Sequence, residues 1–585
     1  MIYIVNSIVM SLCATFRSFI FLCIVLFGQA VFGQYKQTLV NTTVLLENKQ
    51  KGIPFVGLDQ LKIAVLGSDM EKYERFVQVA KLYTEVDSYS FLEYLNSEKK
   101  YNMLIVVGSM AELSDASDGL LKRAVEKKIN IVFVAFDEVA IVNQRRKDLS
   151  SRFALLAQPD AREEGQCHAA MSLFGGAAIT QGSNKTEQTR IQQYSSLLND
   201  NAKAMQMLLK IDAVAEEAIH AQATPGMVVL ALKDGQVLFN KAYGKHTYSD
   251  NEPTKATDIF DLASISKIVA TTPIIMRLYD DKLIQLDTPV SHYIPALKNT
   301  DKASISLRSV LLHEAGFTPF IPFYRALKVG DLQQEEDEHH LVKVADSAYL
   351  RNNYYEDIMW PEMLRSKLGK QGSYLYSDIS MYMMKELAEA LTHRPIDSYA
   401  DELLYRPLGM QTTGFKPRER FDKERIVPTQ HDTSFRKVLL QGYVHDEGAA
   451  MAGGVAGHAG LFASANDLAI YAQMLLNRGA YGGTRYFQPE TVDLFTSKQS
   501  QTSRRGLGFD RADTTSKSGY PSKKAGASVF GHTGYTGTAL WIDPENQLIY
   551  IFLSNRVHPQ VTNKLFDLNI RSRIQDVIYD FVADF

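Results

Sequence analysis

Asp261-Leu-Ala-Ser264-Ile-Ser-Lys267, followed at once by the apolar run Ile268-Val-Ala-Thr-Thr-Pro-Ile-Ile-Met276, is the stretch on which the reading of this chain turns. A Ser three residues ahead of a Lys at the start of a helix puts hydroxyl and amine on one face, where the amine can take the hydroxyl's proton. The pattern alone is weak, because Ser97/Lys100 and Ser434/Lys437 match it too. Those two lie in the polar runs Asn96-Ser-Glu-Lys-Lys and His431-Asp-Thr-Ser-Phe-Arg-Lys, whereas Ser264 opens a helix with an apolar face to bury.

Two further motifs follow in order. In Tyr376-Ser377-Asp378 a phenol set beside cations is expected to ionise readily and to shuttle a proton to a leaving group. The same letters at Tyr248-Ser-Asp250 precede Ser264 in a short polar stretch and read as a turn. In Gly531-His532-Thr533-Gly534-Tyr535-Thr536-Gly537-Thr538, Gly534 is expected to let the strand edge approach a substrate closely. The Tyr535 backbone N–H then joins that of Ser264 as an oxyanion hole.

With these three motifs on one chain, residues 205–585 resemble the serine hydrolases of the class C beta-lactamase and penicillin-binding protein superfamily, whose signature is S-x-x-K, Y-x-N and K-T-G. Pro225-Gly-Met-Val-Val-Leu-Ala-Leu-Lys-Asp-Gly-Gln-Val-Leu-Phe is similar to the first hairpin of that family, turned at Asp234-Gly235. The resemblance implies an antiparallel sheet flanked by helices. It also implies Ser264, Lys267 and Tyr376 as catalytic residues, with Asp378, His532, Thr533, Gly534, Tyr535 and His458 at the substrate or oxyanion side. Two letters depart from the signature. Asp378 stands where Asn is usual, so it can pair with Lys267 but cannot donate an amide hydrogen bond. His532 replaces a Lys suited to gripping a carboxylate and, with an ordinary pKa of about 6.5, is mostly neutral at pH 7. Both changes argue against a dedicated beta-lactamase and suit an esterase or amidase.

The chain has 585 residues, 45% hydrophobic content and a formal charge of −3. That length buries more than one core, and the near-neutral charge gives no electrostatic case for nucleic acid or a membrane surface. Of three cysteines only Cys167 lies beyond the first 33 residues, so neither a disulfide framework nor a cysteine metal cluster is expected. Residues 1–33 read as a signal peptide: Arg17 precedes the apolar run Phe19–Phe27, and Val31-Phe-Gly33 offers a cleavage point. The run is shorter than the roughly 20 residues a span needs. A secreted or periplasmic protein without stable membrane insertion is expected.

Residues 39–182 have another character. The runs Lys62–Gly67, Met103–Gly108 and Asn130–Ala135 are short and β-branched, with amphipathic stretches between them, which predicts a parallel sheet covered by helices. No phosphate-binding glycine motif follows a strand, so no nucleotide cofactor is expected. The segment resembles the C-terminal α/β sandwich domain of family 3 glycoside hydrolases, on Thr43-Val-Leu-Leu-Glu-Asn-Lys with Ile53-Pro-Phe and on Ala161-Arg-Glu-Glu-Gly through Gly176-Ala-Ala-Ile. The barrel that carries the nucleophile in that family has no counterpart here, so the resemblance implies a scaffold or sugar-binding remnant without glycosidase activity. Residues 183–204 read as linker. The expected architecture is therefore an α/β sandwich joined to an α+β, beta-lactamase/transpeptidase-like domain.

Val444-His-Asp-Glu-Gly-Ala-Ala-Met-Ala-Gly-Gly-Val-Ala-Gly-His458-Ala-Gly-Leu-Phe462 closely resembles the same region of cell-wall amidases of the N-acetylmuramoyl-L-alanine type and of penicillin-binding protein 4B. His445, Asp446, Glu447 and His458 are weighed there as zinc ligands, but a nucleophile with its own base gains nothing obvious from a metal, so none is expected. A loop that braces the site, or contacts substrate through its glycines, is the preferred reading. His313 reads as a helix-terminus brace, and Gln333–His340 as a solvated insertion. The function expected is acyl-enzyme hydrolysis of an amide bond in a muropeptide. A broad esterase with weak beta-lactam hydrolysis and an inactive carbohydrate-binding protein are the alternatives.

Overall fold

The computed structural model describes residues 43–149, 154–194, 201–516 and 519–583. The expected signal peptide, Cys13 and Cys23 lie outside the described residues. No helix among the described residues is long and apolar enough to cross a membrane.

The first sheet contains β1 (Val44–Asn48), β2 (Ile63–Gly67), β3 (Val86–Ser90), β4 (Met103–Gly108), β5 (Asn130–Ala135), β6 (Ala154–Ala157), β7 (Thr180–Gln181) and β8 (Asn184–Lys185). Their order is β3-β2-β4-β5-β6-β1-β7-β8. Strands β2 to β6 pair in parallel, while β1 runs antiparallel to β6. Alternation sends Ile63, Val65, Ile105 and Val107 to one face, under α1 (Glu74–Ala80) and α3 (Glu163–Leu173). Ala64, Leu66, Leu104 and Val106 go to the other face, under α2 (Met110–Lys127). The continuous apolar runs of the sequence are therefore strands buried on both sides.

The stretch read as linker is structured at both ends. Gly182, at φ 59°, turns a hairpin whose β7 pairs with β1, and α4 (Ala202–His220) begins before the expected boundary. Between them Ile191 is buried, and its carbonyl accepts from Tyr83 Oη at 2.8 Å. Polar letters hid this because the segment is held by its backbone. Arg190 is likewise buried and donates to the carbonyls of Phe55 and Phe174, both at 2.7 Å. Its guanidinium lies where a Cβ on Gly482 of the second half would stand. Asn466 and Gln411 of that half donate to the Leu82 and Lys81 carbonyls at 3.1 and 2.9 Å.

The second sheet is antiparallel throughout. It contains β9 (Gly226–Lys233), β10 (Gln236–Gly244), β11 (Asp510–Arg511), β12 (Phe530–Thr533), β13 (Ala539–Asp543) and β14 (Leu548–Ser554), in the order β10-β9-β14-β13-β12-β11. Asp234 and Gly235, at φ 51° and 73°, form the two-residue turn the sequence predicts between β9 and β10. Met227, Val229 and Trp541 face α4 and α8 (Ile570–Val582). Val228, Leu230 and Leu540 face the main core, with α5 (Thr272–Asp280), α6 (Ile379–Thr392) and α7 (Ala465–Leu476). The site lies where β12 meets the start of the helical run leading to α5.

Candidate active site

Ser264 sits on a sharp turn. Ala263, just before it, has φ 46°, a left-handed conformation that costs a non-glycine residue roughly 1–2 kcal/mol, and its N–H is held by Asp261 Oδ1 at 2.9 Å. Asp261 Oδ2 also accepts from the His445 N–H at 2.7 Å, so one buried carboxylate ties the serine turn to the 444–462 stretch. From Ala263 the chain coils into a π-turn over Lys267–Thr271 and then into α5. This turns the buried Lys267 amine back onto Ser264, with Nζ donating to Oγ at 2.8 Å.

Tyr376 completes the contact, its hydroxyl donating to Ser264 Oγ at 2.9 Å. Lys267 Nζ also donates to the His458 carbonyl at 3.2 Å and stands 2.8 Å from Asp378 Oδ1. Burial opposes the ammonium, but Asp378 and Tyr376 outweigh it and raise the lysine's pKa. The expected easy ionisation of Tyr376 is corrected. Burial dominates over the favourable Lys267 charge, Asp378 adds repulsion, and the phenol is pushed above its ordinary value. Tyr376 is therefore a neutral donor in the resting site. His313 braces it: the rings lie 4.7 Å apart, and the His313 carbonyl and Nδ1 accept from the N–H groups of Leu375 and Ser377.

His532 and Thr533 lie on β12, beside the serine turn. His532 Nδ1 donates to the Thr533 carbonyl at 2.7 Å, and burial with the nearby Arg505 and Lys267 charges pushes its pKa down to about 3. The reason for Gly534 differs from the expected one. A Cβ there would overlap Thr538 Oγ1 and the Leu262 carbonyl, so the missing side chain lets the β12 turn press on the serine segment rather than on substrate. Thr536 and Thr538 fix the same approach by donating to the Asp261 and Leu262 carbonyls at 2.8 and 3.1 Å. Gly534→Ala is expected to cost about 1–3 kcal/mol of stability and to lower kcat/KM at least tenfold. Urea midpoints and ester turnover check this, and wild-type values in both would remove the contact from the account.

The cleft at Ser264 has a volume of about 430 Å³ and is lined by Tyr376, Arg505, His532, Tyr535 and Arg556 among others. A larger cleft of about 1000 Å³ lies between the two halves, away from the serine. Arg505 and Arg556 escaped sequence reasoning, because arginines without a motif are common. Arg505 is buried near Asp510, and Arg556 lies over the Tyr535 ring at 4.8 Å.

Of the residues weighed as zinc ligands, Asp446, Glu447 and His458 line one small pocket and His445 is not part of it. His445 turns to the Tyr535 ring at 5.4 Å, whereas His458 Nε2 meets Asp446 Oδ1 at 2.9 Å and packs on the Tyr382 ring at 4.5 Å.

Burial holds several imidazoles neutral, with the pKa lowered to about 4 at His168, His445 and His558 and to about 3 at His532. A folded-state pKa depressed below the unfolded 6.5 gives stability that is present above pH 6.5 and lost as pH falls towards the folded value. The fall to about 4 at one ring corresponds to roughly 3 kcal/mol. Thermal midpoints are therefore expected to drop steeply between pH 6.5 and 4, and a flat profile there would contradict this burial.

A serine bonded by a buried lysine and a tyrosine, under an antiparallel sheet edge, defines a serine hydrolase site. Residues 211–572 match the beta-lactamase family, and the protein belongs to it. It is 31% identical over 388 residues to "Putative D-alanyl-D-alanine carboxypeptidase" of Escherichia coli (strain K12), across 62% of this chain and 85% of that protein. It is 32% identical over 379 residues to N-acetylmuramyl-L-alanine amidase of Bacillus subtilis (strain 168), across 60% of this chain and 82% of that protein. A penicillin-binding protein homolog from Caulobacter crescentus superposes with a TM-score of 0.47 at 18% identity, covering 64% of this chain and 97% of that one.

Proposed function

We propose that this protein is an exported hydrolase that cuts an amide bond of peptidoglycan-derived muropeptides through an acyl-enzyme on Ser264. The observation that carries the reading is the convergence of Lys267 Nζ and Tyr376 Oη on one serine oxygen, at 2.8 and 2.9 Å. The names of the carboxypeptidase and amidase relatives support the substrate class. Ser264 attacks the carbonyl, whose oxygen is received by the backbone N–H groups of Ser264 and Tyr535. With Lys267 held as an ammonium, the serine's proton passes into the Lys267–Asp378 pair: Nζ takes it and yields one of its own to the carboxylate 2.8 Å away. Tyr376 hands its proton to the leaving amine and is reprotonated from that pair. Water then attacks the acyl-enzyme along the reverse route. The α/β domain read over residues 39–182 acts as a scaffold, its Leu82 carbonyl held by Asn466 of α7.

A four-substrate panel tests the reading: a muropeptide, a D-alanyl-D-alanine peptide, a p-nitrophenyl ester and nitrocefin, followed by mass and absorbance. Release of peptide from the sugar identifies an amidase, and loss of terminal D-Ala a carboxypeptidase. Turnover of the ester alone would replace the proposal with an esterase. No acylation by any of the four would leave a binding protein.

A further inference from the structure

Beside Asp378, the carboxylate paired with Lys267, lies a small void of about 40 Å³, lined by Asp378, Tyr382, Asp446, Glu447 and His458 among others. A space of that size has room for a single ion or for a few waters. One donor atom from each of Asp378, Asp446 and His458 lies within 4.8 Å of the other two. These residues come from distant parts of the chain, Asp378 from the N-terminus of α6 and the others from the 444–462 stretch.

Independent observations show that this wall lacks a partner. Tyr382 is only 3% exposed, yet its hydroxyl has no hydrogen-bond partner among the described residues. It points towards Gly448, whose absent side chain keeps the space open. His458 is also 3% exposed, and its Nδ1 is unpartnered while Nε2 meets Asp446. Asp378 Oδ1 touches Lys267 as an ion pair but accepts no aligned hydrogen bond. Asp446 spends Oδ1 on His458 and on the Ala449 N–H. Buried polar atoms left unpaired are costly, and the Tyr382 hydroxyl faces this space across Gly448, beside Asp446 Oδ1.

We propose that this void is a binding site for a single first-row divalent cation of the zinc or manganese type, held by Asp378, Asp446 and His458 with Tyr382 at its edge. Two carboxylates and an imidazole are the donor set such ions take. Calcium requires six to eight oxygens in a wider space and does not suit it. The Asp378 carboxylate bridges the ion and the Lys267 ammonium, so the cation clamps the 444–462 stretch to the segment that carries Tyr376. This site does not depend on which bond Ser264 cuts.

Full-length protein stripped with a chelator is titrated with Zn²⁺ and Mn²⁺, following heat and metal content per chain, and with Co²⁺, following its visible absorption. Expected are one ion per chain, a Co²⁺ spectrum with nitrogen and oxygen ligands, and a thermal midpoint that rises with metal. Asp446→Asn preserves shape and the Ala449 contact and should weaken binding at least tenfold. His458→Ala should abolish the Co²⁺ band, and Ser264→Ala should bind as the wild type does. No stoichiometric binding, or equal binding in Asp446→Asn, would overturn the site and leave the void to water. Hydrolysis by Ser264 is scored separately in the substrate panel.

Discussion

Ser264→Ala is expected to abolish turnover of all four panel substrates, with kcat falling about 10⁴-fold or more, while the protein remains folded. Such a fall is roughly 5.5 kcal/mol of transition-state stabilisation, at about 1.4 kcal/mol per tenfold. Loss of the oxygen removes the bond-forming atom and the acceptor shared by Lys267 and Tyr376. The Lys267 ammonium keeps Asp378 and the His458 carbonyl, so stability should change by no more than about 1 kcal/mol. Near-ultraviolet dichroism, urea midpoints and a search for acylated protein by mass check both halves. An acyl adduct on the variant would move the nucleophile elsewhere.

Lys267→Met separates chemistry from stability. The side chain is wholly buried, and Met preserves most of its volume. Acylation should fall at least about 10³-fold, because neither the route for the serine proton nor the charge beside Tyr376 survives. Breaking a buried pair costs about 3–5 kcal/mol, but Asp378 is a quarter exposed, so a loss of about 1–3 kcal/mol is expected. The double variant Lys267→Met/Asp378→Asn should recover much of that stability and none of the activity. Additive losses in the pair would show that the two side chains do not interact.

The residues legible in the sequence were those whose chemistry shows as local spacing. Ser264 and Lys267 stand one helical turn apart, Tyr376 carries a recognisable neighbourhood, and β2, β4 and β5 are uninterrupted apolar runs. Contacts made across the chain were legible only where the family resemblance supplied them, as for Tyr376 at Ser264 and Asp378 at Lys267. Asp378, Asp446 and His458 meet only after α6 and the 444–462 stretch have packed, and Asp261 looks like any acidic residue before a helix. The ionisation of Tyr376 was misread for a related reason: sequence shows which charges are near, but not how completely the phenol is removed from water. The hairpin at 180–185 was missed because its few polar residues pair through backbone atoms, which leave no hydropathy trace.

The seam around Arg190 bears on how such a chain changes over generations. A buried guanidinium held by two carbonyls of one half and seated against a bare glycine of the other is a lock with a matched keyhole. Neither half can exchange that contact alone: a side chain at Gly482 evicts Arg190, and a neutral residue at 190 strands two buried carbonyls. A change at either position therefore demands a matching change at the other, and another amino-terminal half would fit only if the catalytic half's surface at Gly482 were recut.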